Sequence, residues 1–325
     1  MRTQIAFLCL FVSASALAQQ PQWRAPRTAD GHPDLQGMWT SATITPLERP
    51  DEFGERRALT REEAARLEGA EASLVSNSAK PTDLQQQLPG DCKEFGRGCG
   101  YNNFWLDRGS QVVTIDGEKR TSLLIDPPDG KVPALTAERQ KFIAARPRQN
   151  FDGPEARPLG ERCLLAFGSS GGPPMLPVLY NNHYQIVQSR DSVMILVEMV
   201  HDARVVRLGG THVANNVRKW MGDSVGHWEG ETLVVETTNF TEHESFRGAT
   251  RDARVIERFT RVAPDKIHYR FTVEDPQAFT RSFTGELPFH RTDDPIYEYA
   301  CHEGNYALRG ILAGAREQEK GAAGR

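Results

Sequence analysis

The sequence predicts a mainly β protein, an antiparallel meander or calycin-like β-barrel with a few short helices, and three observations support this. Five runs of strand-forming residues follow one another at short intervals between residues 192 and 274. Turns containing Gly or Pro separate them, and no regular strand–helix alternation signals a doubly wound sheet. With 38% hydrophobic and 25% charged residues, the 325-residue chain is apolar enough to bury a core and too balanced to be disordered. Its 39 Lys plus Arg against 43 Asp plus Glu leave a formal charge of −4. That offers no basic excess to displace counterions from a duplex, so nucleic acid is not an expected partner.

Taken in order, residues 1–18 read as a secretory signal peptide. Arg2 precedes an apolar run, and Ala16-Leu17-Ala18 is an A-x-A cleavage site. The apolar run is shorter than the ~20 residues a bilayer span needs, so stable membrane insertion is not expected and the mature chain is periplasmic or secreted. Residues 19–33 form an extended lead-in, 34–150 a hairpin and helix region, 151–315 a barrel-like region and 316–325 a polar tail. Residues 34–315 also read as one domain. Thr60 with Glu63 makes a capping box before one helix, Leu135-Thr136-Ala137-Glu138 opens a second that stops before Pro147, and a third is expected near Tyr306 to Ala315. Asp116-Gly117 between QVVTI and KRTSLLID is a hairpin signal. Strands are expected at 192–199, 203–208, 231–238, 253–262 and 266–274. In the last, Ile267, Tyr269, Phe271 and Val273 take one face and His268, Arg270, Thr272 and Glu274 the other.

Cleavage after Ala18 discards Cys9 and leaves Cys92, Cys99, Cys163 and Cys301. An even number in an exported chain argues for two disulfides, with three connectivities open. Cys92–Cys99 in a Gly-rich loop and Cys163–Cys301 across a loop of roughly 138 residues are the expected pairs. Zinc is the rival reading, but it prefers C-x2-C spacing, which is absent.

Gly37-Met38-Trp39 and Gly226-His227-Trp228 are two Gly-x-Trp steps of the kind that opens lipocalin-like barrels, where an indole plugs the floor. They read either as duplicated barrel halves or as two unrelated buried tryptophans. The stretches HPDLQGMWTSATITPLERP (32–50) and GDSVGHWEGETLVVETTNF (222–240), with NNFWLDRG, PPMLPVLYNN and YEYACHEGNYAL, resemble a large group of exported bacterial proteins of unassigned function. The resemblance covers most of the mature chain. It implies export and a β-rich body, and it carries no site residues.

Several constellations carry candidate chemistry. Gly222 to Gly226 matches G-x-S-x-G literally, but a β run follows Ser224 where a nucleophile elbow needs a helix. His201 and Asp202 end a predicted strand, where a sheet presents groups to a pocket, and Glu198 is an unusual acid in an apolar run. Glu198 reads either as a general acid–base group or as an ion-pair partner of Arg204 or Arg207. Asp223, His227 and Glu229 gather three ionisable groups, and His302 follows a cysteine. No H-E-x-x-H or H-x-H step supports a metal site, and Gly168 to Gly172 lacks the Lys of a phosphate loop. Trp105, Asp107, Arg108, Tyr180, Asn182 and Tyr184 are candidates to line a pocket for a flat or sugar-like ligand, or simply to fill space. Two functions follow. One is a cofactor-independent enzyme, a lyase, isomerase or hydrolase, using a His and a carboxylate on a small organic molecule. The other is a calycin-like carrier without turnover.

Overall fold

The structure, a computed structural model, describes residues 23–78, 106–145, 151–165, 172–241 and 246–323. Its elements in chain order are β1 (Gly37–Thr40), α1 (Arg61–Ser78), β2 (Thr114–Ile115), β3 (Glu118–Lys119), β4 (Leu124–Asp126), α2 (Ala137–Ala145), β5 (His183–Gln188), β6 (Ser192–Val197), β7 (Ala203–Leu208), β8 (Asp223–Glu229), β9 (Thr232–Thr238), β10 (Arg254–Ala263), β11 (Lys266–Glu274), β12 (Phe283–Arg291) and α3 (Tyr306–Ala323). Nine strands close into one barrel in the order β1-β5-β6-β7-β8-β9-β10-β11-β12, with β12 returning to β1. Two signals read from the sequence are realised in detail. Thr60 and Glu63 exchange backbone bonds of 2.8 and 3.1 Å at the start of α1. Asp116 and Gly117 both take the positive φ of a tight hairpin turn, 51° and 78°.

Three features depart from the expected outline. The barrel is mixed, because β7 and β8 run parallel, with Val206 opposite Ser224. Residues 209–222 make that crossover, and Asp223 holds it. Its buried carboxylate accepts from Arg207 (2.9 Å), Lys219 (2.8 Å) and the Val213 amide (3.1 Å), and His212 Nδ1 lies at 3.1 Å. These contacts, the Arg207 bonds foremost, keep it well below the usual carboxylate range. Second, β1, from the region expected to precede the barrel, is one of its staves, paired with both β5 and β12. Third, the segment expected to be a polar tail from residue 316 is helix, since α3 continues to Ala323.

Alternation fills the interior. Val255, Glu257, Phe259 and Arg261 of β10 and Ile267, Tyr269, Phe271 and Val273 of β11 are buried, while the residues between them are more exposed. Tyr269 stacks on Phe289 at 4.9 Å and packs against Phe259 at 5.0 Å between ring centroids. A polar network crosses this core. Arg204 makes a two-pronged pair with Glu257 at 2.7 and 3.0 Å, Tyr269 donates to Glu257 at 2.8 Å, and the Met175 amide donates to the Tyr269 hydroxyl at 2.9 Å.

The pairings also fix which residues share an end of the barrel. Residues 183, 197, 203, 223, 238, 254, 274 and 283 lie at one end, and 188, 192, 208, 229, 232, 263, 266 and 291 at the other, with the short β1 staggered between His183 on one side and His290 on the other. The second end is closed. Trp39 is fully buried there, its Nε1 donates to Leu35 O at 2.9 Å, and the Arg261 guanidinium lies 5.5 Å from the indole. Arg261 also donates to Asp34 O and Pro264 O at 2.7 Å, tying the chain entering β1 to the end of β10. Trp228 lies at the same end, half-buried and stacked on His32 at 5.0 Å. Both Gly-x-Trp steps therefore belong to a single barrel and not to duplicated halves.

Candidate functional site

The first end opens into a cavity of 1320 Å³. Its roof is α1, which presents Arg66, Leu67, Ala70, Glu71 and Leu74 on one face, as a 3.6-residue period requires. Thr45, Leu47 and Phe53 form one wall, and Pro173, Leu176, Val178 and Tyr180 form another. Val255 and Val273 at the barrel rim lie below, and Trp220, Phe240, Phe246 and Arg247 complete the enclosure. Three of the charged groups that line it are neutralised within the fold. Arg108 donates to Glu71 at 2.7 Å, and Arg120 donates to Glu286 at 3.1 Å as well as to Glu118.

A second feature lies at the same end, built on the β5–β6 hairpin. Tyr184 pairs with Val197, so the next step of the register sets His183 against Glu198. The Glu198 amide donates to His183 O at 3.0 Å, and His183 Nδ1 lies 2.9 Å from Glu198 Oε2. Glu198 is only 2% exposed and also accepts from the Tyr297 amide at 3.4 Å. The ring's other nitrogen, Nε2, is 4.0 Å from a carboxylate oxygen of Asp107 and of Asp294. The bond to Glu198 raises the His183 pKa above its ordinary value. Burial pushes Glu198 up, but the His183 bond and charge and the two backbone N–H groups outweigh it and hold the carboxyl below its ordinary value. Burial raises Asp107. His183 itself does not line the cavity. Between them stands a wall stitched by Asn182, whose side chain bonds Val178 N at 2.8 Å and Asp107 O at 2.6 Å.

The turn joining β6 to β7 is strained. Val200 has φ 63° and His201 φ 44°, a left-handed conformation unfavourable for any β-branched residue. Such residues cost of order 1–3 kcal/mol each and gather at functional sites. Met199 of this turn reaches the cavity. Asp202, at its end, buries Oδ2 without a hydrogen-bond partner, and that burial pushes its carboxyl up to about 6 against a partial offset from His201.

The candidates read from the sequence separate into distinct environments. Glu198, His201, Asp202 and Asp107 share the open end, and Glu198 and Asp107 meet around His183. The partner of Glu198 is this histidine and not Arg204, which pairs with Glu257, nor Arg207, which pairs with Asp223. His227 and Glu229 lie at the opposite end, exposed and 3.1 Å apart, and Arg258 donates to Glu229 at 2.5 Å. His302 is exposed in the turn before α3. The imidazoles of His201, His227 and His302 therefore do not share one cavity. Tyr184 is buried within the barrel against Phe289. Arg108 and Tyr180 line the cavity, whereas Asn182 is a strut. Ser224 is buried in β8 and bonds Thr237 at 2.8 Å, a strand contact with no helix following. Trp105, Cys92, Cys99 and residues 1–18, read from the sequence as a signal peptide, lie outside the described residues.

Cys163 and Cys301 form a disulfide with Cα atoms 5.7 Å apart. No group of three or more His, Cys, Asp or Glu side chains among the described residues is arranged to hold a metal ion. No helix among them is long and apolar enough to cross a membrane. His183 and Asp294 are the site residues that sequence reasoning missed. Hairpin register about the Ser189–Asp191 turn was the available signal for His183, and none pointed to Asp294. No family model, curated protein or solved structure matches the chain.

Proposed function

We propose that the chain is an exported binding protein that takes an apolar small molecule into the cavity at the open end of its barrel. The cavity itself carries the reading. Its 1320 Å³ exceeds the roughly 300–1,000 Å³ usual for small-molecule pockets, and its walls are mostly aliphatic or aromatic. Burying a ligand there would gain about 25 cal/mol per Å² of apolar surface removed from water. Export rests on the leader-like residues 1–18, on the resemblance to exported proteins, and on a disulfide of the kind that persists in an oxidising compartment.

The test is a thermal-shift screen of the mature chain with apolar small molecules, repeated with Ala70→Trp. Ala70 is exposed on the cavity face of α1, so the indole fills the space without disturbing the core. Saturable binding that falls at least tenfold in the variant is expected. Absence of any saturable ligand, or binding indifferent to the indole, would refute the reading.

A second reading, acid–base turnover, is favoured by one observation, the His183–Glu198 contact at 2.9 Å with Nε2 facing two carboxylates. Here His183 is the proton-transferring group and Glu198 fixes its tautomer. Product analysis distinguishes the two. Conversion lost in His183→Gln but retained in His201→Ala and His227→Ala supports an enzyme, and ligand recovered unchanged supports the carrier.

A further inference from the structure

Resting on the cavity-binding reading, we infer that the ligand is an anionic amphiphile, an apolar body carrying one carboxylate-like head, and that Arg66 and Arg247 hold that head. Six charged side chains line the cavity: Glu52, Arg66, Glu71, Arg108, Arg120 and Arg247. Arg108 with Glu71, and Arg120 with Glu286, are internally neutralised. Among the described residues, Arg66 and Arg247 have no ion-pair partner, and one unpaired carboxylate, Glu52, stands against them. The surplus is positive, in a chamber whose other lining residues are mostly apolar, with a few threonines among them.

Position adds to the charge argument. Arg66 shares the cavity face of α1 with Leu67 and Ala70, so its stem runs along apolar surface while its guanidinium stays at the solvent-exposed margin. Arg247 comes from the other side of the enclosure, next to Phe246, and its backbone is left-handed at φ 53°, ψ 23°. A non-glycine residue is costly there, and such conformations cluster at ligand clamps. Two planar forks at the margin of an apolar chamber suit a carboxylate, which accepts paired N–H bonds, while the chain or ring system fills the space below. A neutral ligand would gain nothing from either guanidinium, which water already solvates, and a cationic one would be repelled.

The test uses three probes of equal chain length below their micellar concentrations: dodecanoate, methyl dodecanoate and dodecyltrimethylammonium. Binding is followed through the emission of Trp220, which lines the cavity, and by calorimetry. Dodecanoate should bind about tenfold or more tightly than the ester, with the cation weakest, and the preference should shrink at high salt. The double variant Arg66→Gln, Arg247→Gln should lose the preference yet still bind the ester. Equal affinities for acid and ester, or a preference that survives in the double variant, would overturn the inference and leave cavity binding intact. Failure of all three probes to bind, at concentrations where the variant and wild type are folded, would bring down both.

Discussion

Replacing Asp202 with Asn tests whether the open end of the barrel harbours a carboxyl that the fold would prefer to keep protonated. Its Oδ2 is buried without a partner, and the carboxyl sits at about 6 against an ordinary value of 3.8. Below both values Asp202 is neutral in the folded and the unfolded chain and contributes nothing. As pH rises between them, the unfolded chain releases its proton first, so the native state loses ground, and the loss levels off above about 6. The full difference corresponds to about 3 kcal/mol. Partial solvent access reduces it to about 1–2 kcal/mol. Asn cannot ionise, so D202N escapes this loss. Urea unfolding followed by tryptophan fluorescence should show the stability difference between D202N and wild type moving in favour of D202N by about 1–2 kcal/mol from pH 4 to pH 7.5. Any packing effect of the amide is common to both pH values and cancels. A difference that stays constant with pH, or that moves toward the wild type, would refute the reasoning.

Three further outcomes are expected. Glu198→Gln removes the group that raises His183, so the histidine midpoint, read by NMR, should fall. Because a raised histidine pKa stabilises at low pH and ceases to do so as pH climbs through it, the variant should lose more stability at pH 6 than at pH 8.5. Gly285→Ala would set a Cβ 2.4 Å from the Phe271 ring, deep in the barrel, and should cost about 1–3 kcal/mol or more, visible as a lowered Tm. Replacing both Cys163 and Cys301 with Ala releases a closed loop of 138 residues and should cost about 2–5 kcal/mol in chemical denaturation.

Strands with regular alternation were legible in the sequence. β10 and β11 follow it closely, and so the β-rich class and the barrel could be read. β12 could not, because FTGELPFHR carries Gly285 and Pro288, both breakers of a strand pattern. The structure accommodates the proline. The Glu286 N–H, two residues earlier, faces away from β11 to Leu123 O at 2.9 Å, and on that side β4 pairs only near Thr284 and β1 only near Arg291, so the N–H that Pro288 lacks would face no strand. The parallel β7–β8 pair was equally hidden, since its crossover contains no helix to announce it. At the site, Glu198 stood out because an acid in an apolar run is conspicuous. Its partner did not, because His183 opens a separate strand and meets Glu198 only through hairpin register. The cavity was invisible for a similar reason, being assembled from α1, several loops remote from one another in sequence and the barrel rim.

Closing the barrel between β1 and β12 also dictates an order of events during folding. Trp39 lies beside Arg291, so the earliest stave must wait for the last one before the ring can shut. Until the C-terminal stave arrives, a chain emerging from a ribosome cannot complete the ring around its indole floor. Contacts this remote in sequence favour slow folding. A polypeptide whose first and last staves must meet keeps its ring open until both exist, so the barrel closes as one late event and not stave by stave.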